Sequence, residues 1–229
     1  MRAQNETSPD ELVSVLQRNL TRVQGRIAAA VPKTTLGSQP RDSRDAPELI
    51  AVTKTVSPAV AMALADLMPA PVHLAENRAD HFAGASEAFS LAGKPVRWHF
   101  IGHVQRNKAR RILERANVLH SVDSKKLAGT VARLADELQR DIEVFVEVNL
   151  TEEAEKHGLL ASDVPDVLMA LRASERVRIR GLMAMGPARG LRTVDEVFGD
   201  VAALARPLES THADCFPGGQ CLLSMGMSG

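Results

Sequence analysis

Tyrosine is missing altogether from this chain of 229 residues, and six Phe with one Trp bring the aromatic content to only 3%. Without a phenol, any mechanism that uses tyrosine as acid or base is excluded. Cysteine is scarce as well. Cys215 and Cys221 alone cannot staple a disulfide scaffold, and they suit the reducing cytoplasm where the protein is expected to reside. Together with His212 they lack a fourth ligand at zinc-finger spacing, so no metal site is expected. Net charge is zero, with 28 basic and 28 acidic residues, which offers nucleic acid and anionic membranes no general attraction. No apolar run approaches the roughly 18 residues of a membrane-spanning helix. The opening Met1-Arg2-Ala3-Gln4-Asn5-Glu6 lacks the apolar centre of a secretory signal. No Gly-x-Ser-x-Gly elbow, Walker loop or Gly-x-Gly-x-x-Gly fingerprint occurs.

What remains is an ordinary globular composition, 45% hydrophobic and 24% charged. Ser8-Pro9-Asp10-Glu11 is a capping-box start, and Leu12, Val15, Leu16, Leu20, Val23 and Ile27 recur at helical spacing. The spacing predicts an amphipathic helix over about 9–30, and the Pro-, Ser- and Arg-rich stretch of about 31–47 predicts a mobile surface loop. From Leu49 onward, short apolar runs alternate with helical patterns. Strands are expected at 49–54, 72–76, 96–101, 118–122, 142–148, 177–185 and 221–225, with a helix after each of the first six. Such alternation means βαβ units and a parallel sheet. A single α/β domain over 1–229 is expected, a TIM-type (β/α)8 barrel that is one strand short.

The carboxyl ends of barrel strands are where ligands bind, so the polar residues there are the candidates. Lys54 ends the first strand; it reads either as a solvated strand-end charge or as a lysine held beside a carbonyl group. Glu76-Asn77 ends the second, and Gly102-His103 the third, which contains His99. Ser121 and Asp123 close the fourth, Asn149 the fifth, and Met183 and Met185 the sixth. Singly, each has a plainer reading: Asn and Asp as caps or turns, His99 as a hydrogen-bonded core residue, the methionines as core filling. Ser224-Met225-Gly226-Met227-Ser228-Gly229 reads as a small-residue turn that could cradle a phosphate, or as a flexible terminus.

Taken together, these residues resemble the pyridoxal-phosphate homeostasis family, the small fold-type III pyridoxal-phosphate-binding proteins. The resemblance rests on Ala51-Val52-Thr53-Lys54-Thr55, Glu76-Asn77, Trp98-His99-Phe100-Ile101-Gly102 with Gln105 and Asn107-Lys108, and Ser121-Val122-Asp123. It continues through Val148-Asn149, Lys156-His157-Gly158, Arg180-Gly181-Leu182-Met183 and Ser224-Met225-Gly226-Met227-Ser228. It implies a barrel like the amino-terminal domain of alanine racemase. It also implies pyridoxal 5'-phosphate as cofactor, with Lys54, partly desolvated, bonded to its aldehyde. By the same resemblance Asn77 lies near the cofactor, Ser224, Gly226 and Ser228 form the phosphate end, and His99 and Met183 line the pocket. Partners implied are the cofactor itself and the apo-enzymes that depend on it, for a protein that is a monomer or weak dimer.

Two departures from the family pattern stand out. Ala75 replaces a glycine before Glu76-Asn77. After Ser228, Gly229 replaces an acidic residue, and the family's last helix and eighth strand have no counterpart. The expectation is a truncated or divergent member with an open barrel edge and weakened cofactor binding.

Three functions follow. The first is a carrier that holds pyridoxal phosphate and influences its supply without turnover. The second is an amino-acid racemase or decarboxylase on the same barrel, which would need a second base in place of tyrosine; His99 is the nearest. The third is a Schiff-base enzyme acting on a phosphorylated metabolite through the Ser228 turn, with Glu76 or Asp123 as acid or base.

Overall fold

The computed structural model describes residues 8–30, 47–151, 153, 157–187 and 192–227. The predicted loop over 31–46, and Ser228 of the predicted turn, lie outside the described residues.

Seven strands form one parallel sheet in sequence order: β1 (Ala51–Val52), β2 (His73–Glu76), β3 (Arg97–Phe100), β4 (Val118–Val122), β5 (Ile142–Glu147), β6 (Val177–Met185) and β7 (Leu222–Gly226). Among the described residues, seven α-helices accompany them: α1 (Pro9–Ala30), α2 (Pro58–Leu67), α3 (Ala79–Leu91), α4 (Ala109–Leu113), α5 (Lys125–Leu138), α6 (Val164–Leu171) and α7 (Val194–Thr211). Uniform βα alternation with every neighbour parallel is barrel topology, here a curled sheet whose edges are β1 and β7. It matches the expected α/β barrel short of one strand.

Local chemistry places the helices. Ser8 Oγ accepts from the Glu11 amide at the start of α1, and Ser57 and Ser124 cap α2 and α5 in the same way. Thr193 and Glu196 form a reciprocal capping box at α7. The helix expected after the third strand is instead a 3₁₀ turn, Arg106–Lys108, running into the short α4.

Alternation along the strands separates two interiors. Ile142, Val144 and Val146 of β5 are buried, whereas Glu143, Phe145 and Glu147 are half-buried. Trp98 and Phe100 of β3 pack with Phe82 and Phe89 of α3, Phe82 lying with ring centroids 5.6 Å from Trp98 and 5.7 Å from Phe100. Burying such rings is the main stabilising contribution of this layer. Arg97 and His99, on the other face of β3, turn with Glu143 and Phe145 toward a cavity of about 330 Å³, which Glu48, His73 and Arg180 also line. This cavity collects residues from the amino-terminal halves of the strands, so it lies at the base of the barrel, away from the mouth. Arg97 and Glu143 form an ion pair across it at 2.7 Å.

Candidate functional site at the barrel mouth

β1 is only two residues long, yet the turn that follows it is pinned. The Thr53 amide donates to the Ala75 carbonyl at 2.9 Å, and the buried Thr53 hydroxyl donates to Glu76 Oε1 at 2.6 Å. Glu76 is completely buried, and its other oxygen lies 2.8 Å from His81 Nδ1. These contacts fix the residue before Lys54, and the Val56 amide, donating to the Thr53 carbonyl at 3.1 Å, closes a turn around Lys54, which is exposed at the carboxyl end of β1. The partial desolvation expected of Lys54 is not seen. Both oxygens of Glu76 are engaged, so it is not free to act as an acid or base.

Asn77 is half-buried after β2, and its backbone lies against Gly102 after β3. Ser121 of β4 donates to the Gly102 carbonyl at 2.5 Å, joining three consecutive strand ends. Ala75, in place of the family glycine, is fully buried and pairs regularly with His99. Asn149 after β5 folds its own loop: its Oδ1 accepts from the Thr151 amide and hydroxyl at 3.1 and 2.8 Å.

Beyond Gly102, His103 Nδ1 stands 3.0 Å from Asp123 Oδ2, and the His103 ring stacks on His157 with centroids 4.1 Å apart. Glu147, at the end of β5, is pushed up to about 7, first by burial and then by the charge of Asp123.

His99 is placed elsewhere. Its Nε2 lies 2.8 Å from His73 Nδ1, and its Nδ1 lies 2.8 Å from His120 Nε2. His120 Nδ1 in turn lies 2.7 Å from the Ser224 hydroxyl. Four strands, β2, β3, β4 and β7, thus share one chain of hydrogen bonds inside the barrel. Its far end, His73 Nε2, faces Glu48 Oε1 at 3.3 Å without hydrogen-bonding geometry. Burial pulls all three imidazoles down, His99 to about 2 and His120 to about 4, so they are neutral near pH 7. His73 and His120 escaped notice in the sequence. Their signal was a polar residue inside an otherwise apolar strand, the same signal that drew attention to His99.

Met183 is buried in β6 and paired in register with Ser224, and Gly226 ends β7 opposite Met185. Ser224 and Gly226 therefore stand on the strand next to Met183. The structure brings Lys54 and Asn77 to the strand ends, sets Ser224 inside on the histidine chain, and turns His99 toward the base cavity. Among the described residues, no group of donors includes His212, Cys215 and Cys221; both thiols are buried, and burial raises Cys221 to about 12.

A curled parallel sheet with its candidate lysine after the first strand is a barrel of the (β/α) type with a candidate site at its mouth. The family described as alanine racemase, N-terminal domain, matches residues 42–226. Over 157 residues the chain is 37% identical to the pyridoxal phosphate homeostasis protein of Deinococcus radiodurans, covering 68% of this chain and 66% of that one. The protein of the same name from Synechocystis sp. is 32% identical over 187 residues, 79% of this chain and 80% of its own length. Among solved structures, PipY of Synechococcus elongatus without pyridoxal phosphate superposes with a TM-score of 0.73 at 25% identity, covering 92% of this chain and 97% of that one. Alanine racemase of Clostridium difficile shares the fold, with a TM-score of 0.62 at 13% identity over 94% of this chain and 53% of its own. This chain belongs to the alanine racemase N-terminal domain family and, within it, to the pyridoxal phosphate homeostasis proteins.

Proposed function

We propose that this protein binds pyridoxal 5'-phosphate as a Schiff base on Lys54 and takes part in the intracellular homeostasis of that cofactor. One observation carries the reading: an exposed lysine at the carboxyl end of β1, directly after the pinned Thr53, with no ion-pair partner among the described residues. A free amine at a barrel mouth fits an aldehyde. When bound, pyridoxal phosphate supplies an electron sink for carbanions formed on its substrates. Asn77 stands on the neighbouring strand end, and Met183, Ser224 and Gly226 supply the β6–β7 side; Ser228, outside the described residues, is assigned to the phosphate end by the family resemblance alone. A PipY structure that carries pyridoxal phosphate supports the fold needed, with a TM-score of 0.70 at 24% identity.

Racemisation has little to work with. The chain has no tyrosine, and both ring nitrogens of His99, the expected second base, are occupied by His73 and His120. Burial has also pulled His99 down to about 2, which leaves it a poor base. The protein acts as one barrel unit that hands its cofactor to apo-enzymes in the cytoplasm. No helix among the described residues is long and apolar enough to cross a membrane.

The test is incubation with pyridoxal phosphate, followed by borohydride reduction and peptide mapping. Reduced cofactor should appear on Lys54 and vanish from Lys54→Ala. Equal labelling of the variant, or label on another lysine, sinks the proposal. Transfer to an apo-enzyme faster than from free cofactor at the same concentration tests the delivery role.

A further inference from the structure

Three side chains that the cofactor reading leaves unused converge at the mouth. His103 follows β3, Asp123 follows β4 and His157 lies in the loop after β5. One donor atom from each lies within 4.8 Å of the other two. We propose that His103, Asp123 and His157 form a binding site for a divalent first-row transition metal such as zinc.

The donor set carries the choice of ion. Two imidazoles and one carboxylate suit zinc, cobalt, nickel or ferrous iron, whereas calcium and magnesium prefer all-oxygen shells. Spacing agrees. Zinc bonds of about 2.0–2.2 Å at tetrahedral angles place neighbouring ligands about 3.3–3.6 Å apart. His103 Nδ1 and Asp123 Oδ2 already stand 3.0 Å apart. The third donor has a short distance to close. Because a lone pair lies in the plane of its imidazole, the stacked rings must rotate to point at one ion. Both rings are exposed and can turn without repacking the core, while the Asp123 side chain, 11% exposed, is the fixed point.

The scaffold is favourable too. Three adjacent strands lead into the segments that carry the three ligands, with His103 three residues beyond β3, Asp123 directly after β4 and His157 in the loop after β5. The plainer alternative is an aspartate–histidine ion pair with a second histidine stacked on it, which needs no metal. That alternative accounts for the stacking and the 3.0 Å contact, so the two readings are separated by metal titration. Three protein ligands leave at least one position open to water or a small anion. β1 and Lys54 lie two strands from β3, so this site stands or falls independently of cofactor attachment.

The experiment uses the full chain without an affinity tag, stripped with chelator and free of pyridoxal phosphate. Cobalt is added while visible absorbance is followed, and zinc binding is measured by calorimetry. One equivalent of each metal is expected. His157→Ala and His103→Ala should each weaken affinity by on the order of 100-fold, since losing a direct ligand exceeds the roughly 10–100-fold cost of disturbing outer-shell partners. His212→Ala should leave it unchanged. No saturable binding, or one-equivalent binding that survives both substitutions, overturns the proposal. Because both histidines are exposed, the variants keep their fold, and a lost signal reports the site itself.

Discussion

A Cβ atom on Gly102 would stand 1.9 Å from the backbone oxygen of Asn77. The loops after β2 and β3 therefore meet main chain to main chain, and only glycine permits that approach. Gly102→Ala has no flexible side chain to push aside, only backbone. It should cost at least the roughly 1–3 kcal/mol of overpacking and should spread the strand ends that hold Asn77 and Ser121. Urea unfolding gives the first effect, and weaker cofactor retention the second; a variant with wild-type stability would show that the loops yield easily.

Glu147 makes the protein less stable as pH rises. Its folded-state carboxyl is held up to about 7 by burial and by Asp123, against 4.5 when unexposed to the fold. Between those values the native state holds a proton that the unfolded chain has released, so stability falls with increasing pH across that window. Glu147→Gln mimics the protonated form. It should raise the urea midpoint at pH 8 and leave it nearly unchanged at pH 4.5. A gain of the same size at both values would assign the effect to packing.

The buried histidines act in the opposite sense. His99 and His120 titrate at about 2 and 4 in the folded state, against 6.5 in the unfolded chain. Below pH 6.5 the unfolded chain takes up protons that the native state refuses. Stability present above 6.5 is lost as pH falls toward those folded values, by up to about 1.4 kcal/mol per pH unit for each proton. Around the chain, Glu48, Arg97 and Glu143 act on His73, Arg97 also acts on the central His99 and lowers it further, and Ser224 stands beside His120. His99→Leu should flatten the slope of stability against pH between 6.5 and 5, whatever its effect on the plateau. An unchanged slope would mean that the rings take up protons without unfolding.

Phe82 is fully buried between Trp98 and Phe100. Phe82→Ala should destabilise by about 3–5 kcal/mol, the usual cost of emptying an aromatic site. Trp98 is the chain's one tryptophan, so its emission reports that layer directly. A red shift is expected in the variant before any denaturant is added, and its absence would mean that the layer closes over the gap.

The parts of the fold legible in the sequence are those set by local pattern. α1, β4 and β6 appear where periodicity placed them, because apolar spacing and capping residues act within a few positions. β1 is shorter than expected because it is a sheet edge, paired on one side only, and Val52 on it is exposed. The strand-end positions of Lys54 and Asn77 were legible for the same reason as the strands. The histidine chain was not: positions 73, 99, 120 and 224 lie far apart, and register between strands decides which lumen side chains meet. His103 and Asp123 were legible as strand-end residues, but their meeting with His157 was hidden likewise, since no metal-ligand spacing within one loop announces it.

The histidine chain also has a direction. Each link joins one ring's Nδ1 to the next ring's Nε2, so neutral rings must all adopt the same tautomer. With hydrogens on Nδ1, Ser224 receives one and His73 turns a bare lone pair toward Glu48. With hydrogens on Nε2, Ser224 donates its own to His120 and His73 carries an N–H on the side of the carboxylate 3.3 Å away. An ionised Glu48 favours the second arrangement. The charge of one acid at the foot of the barrel thus sets the polarity of a line of hydrogen bonds. Through that line it decides whether the Ser224 oxygen meets a visitor as a donor or with lone pairs alone.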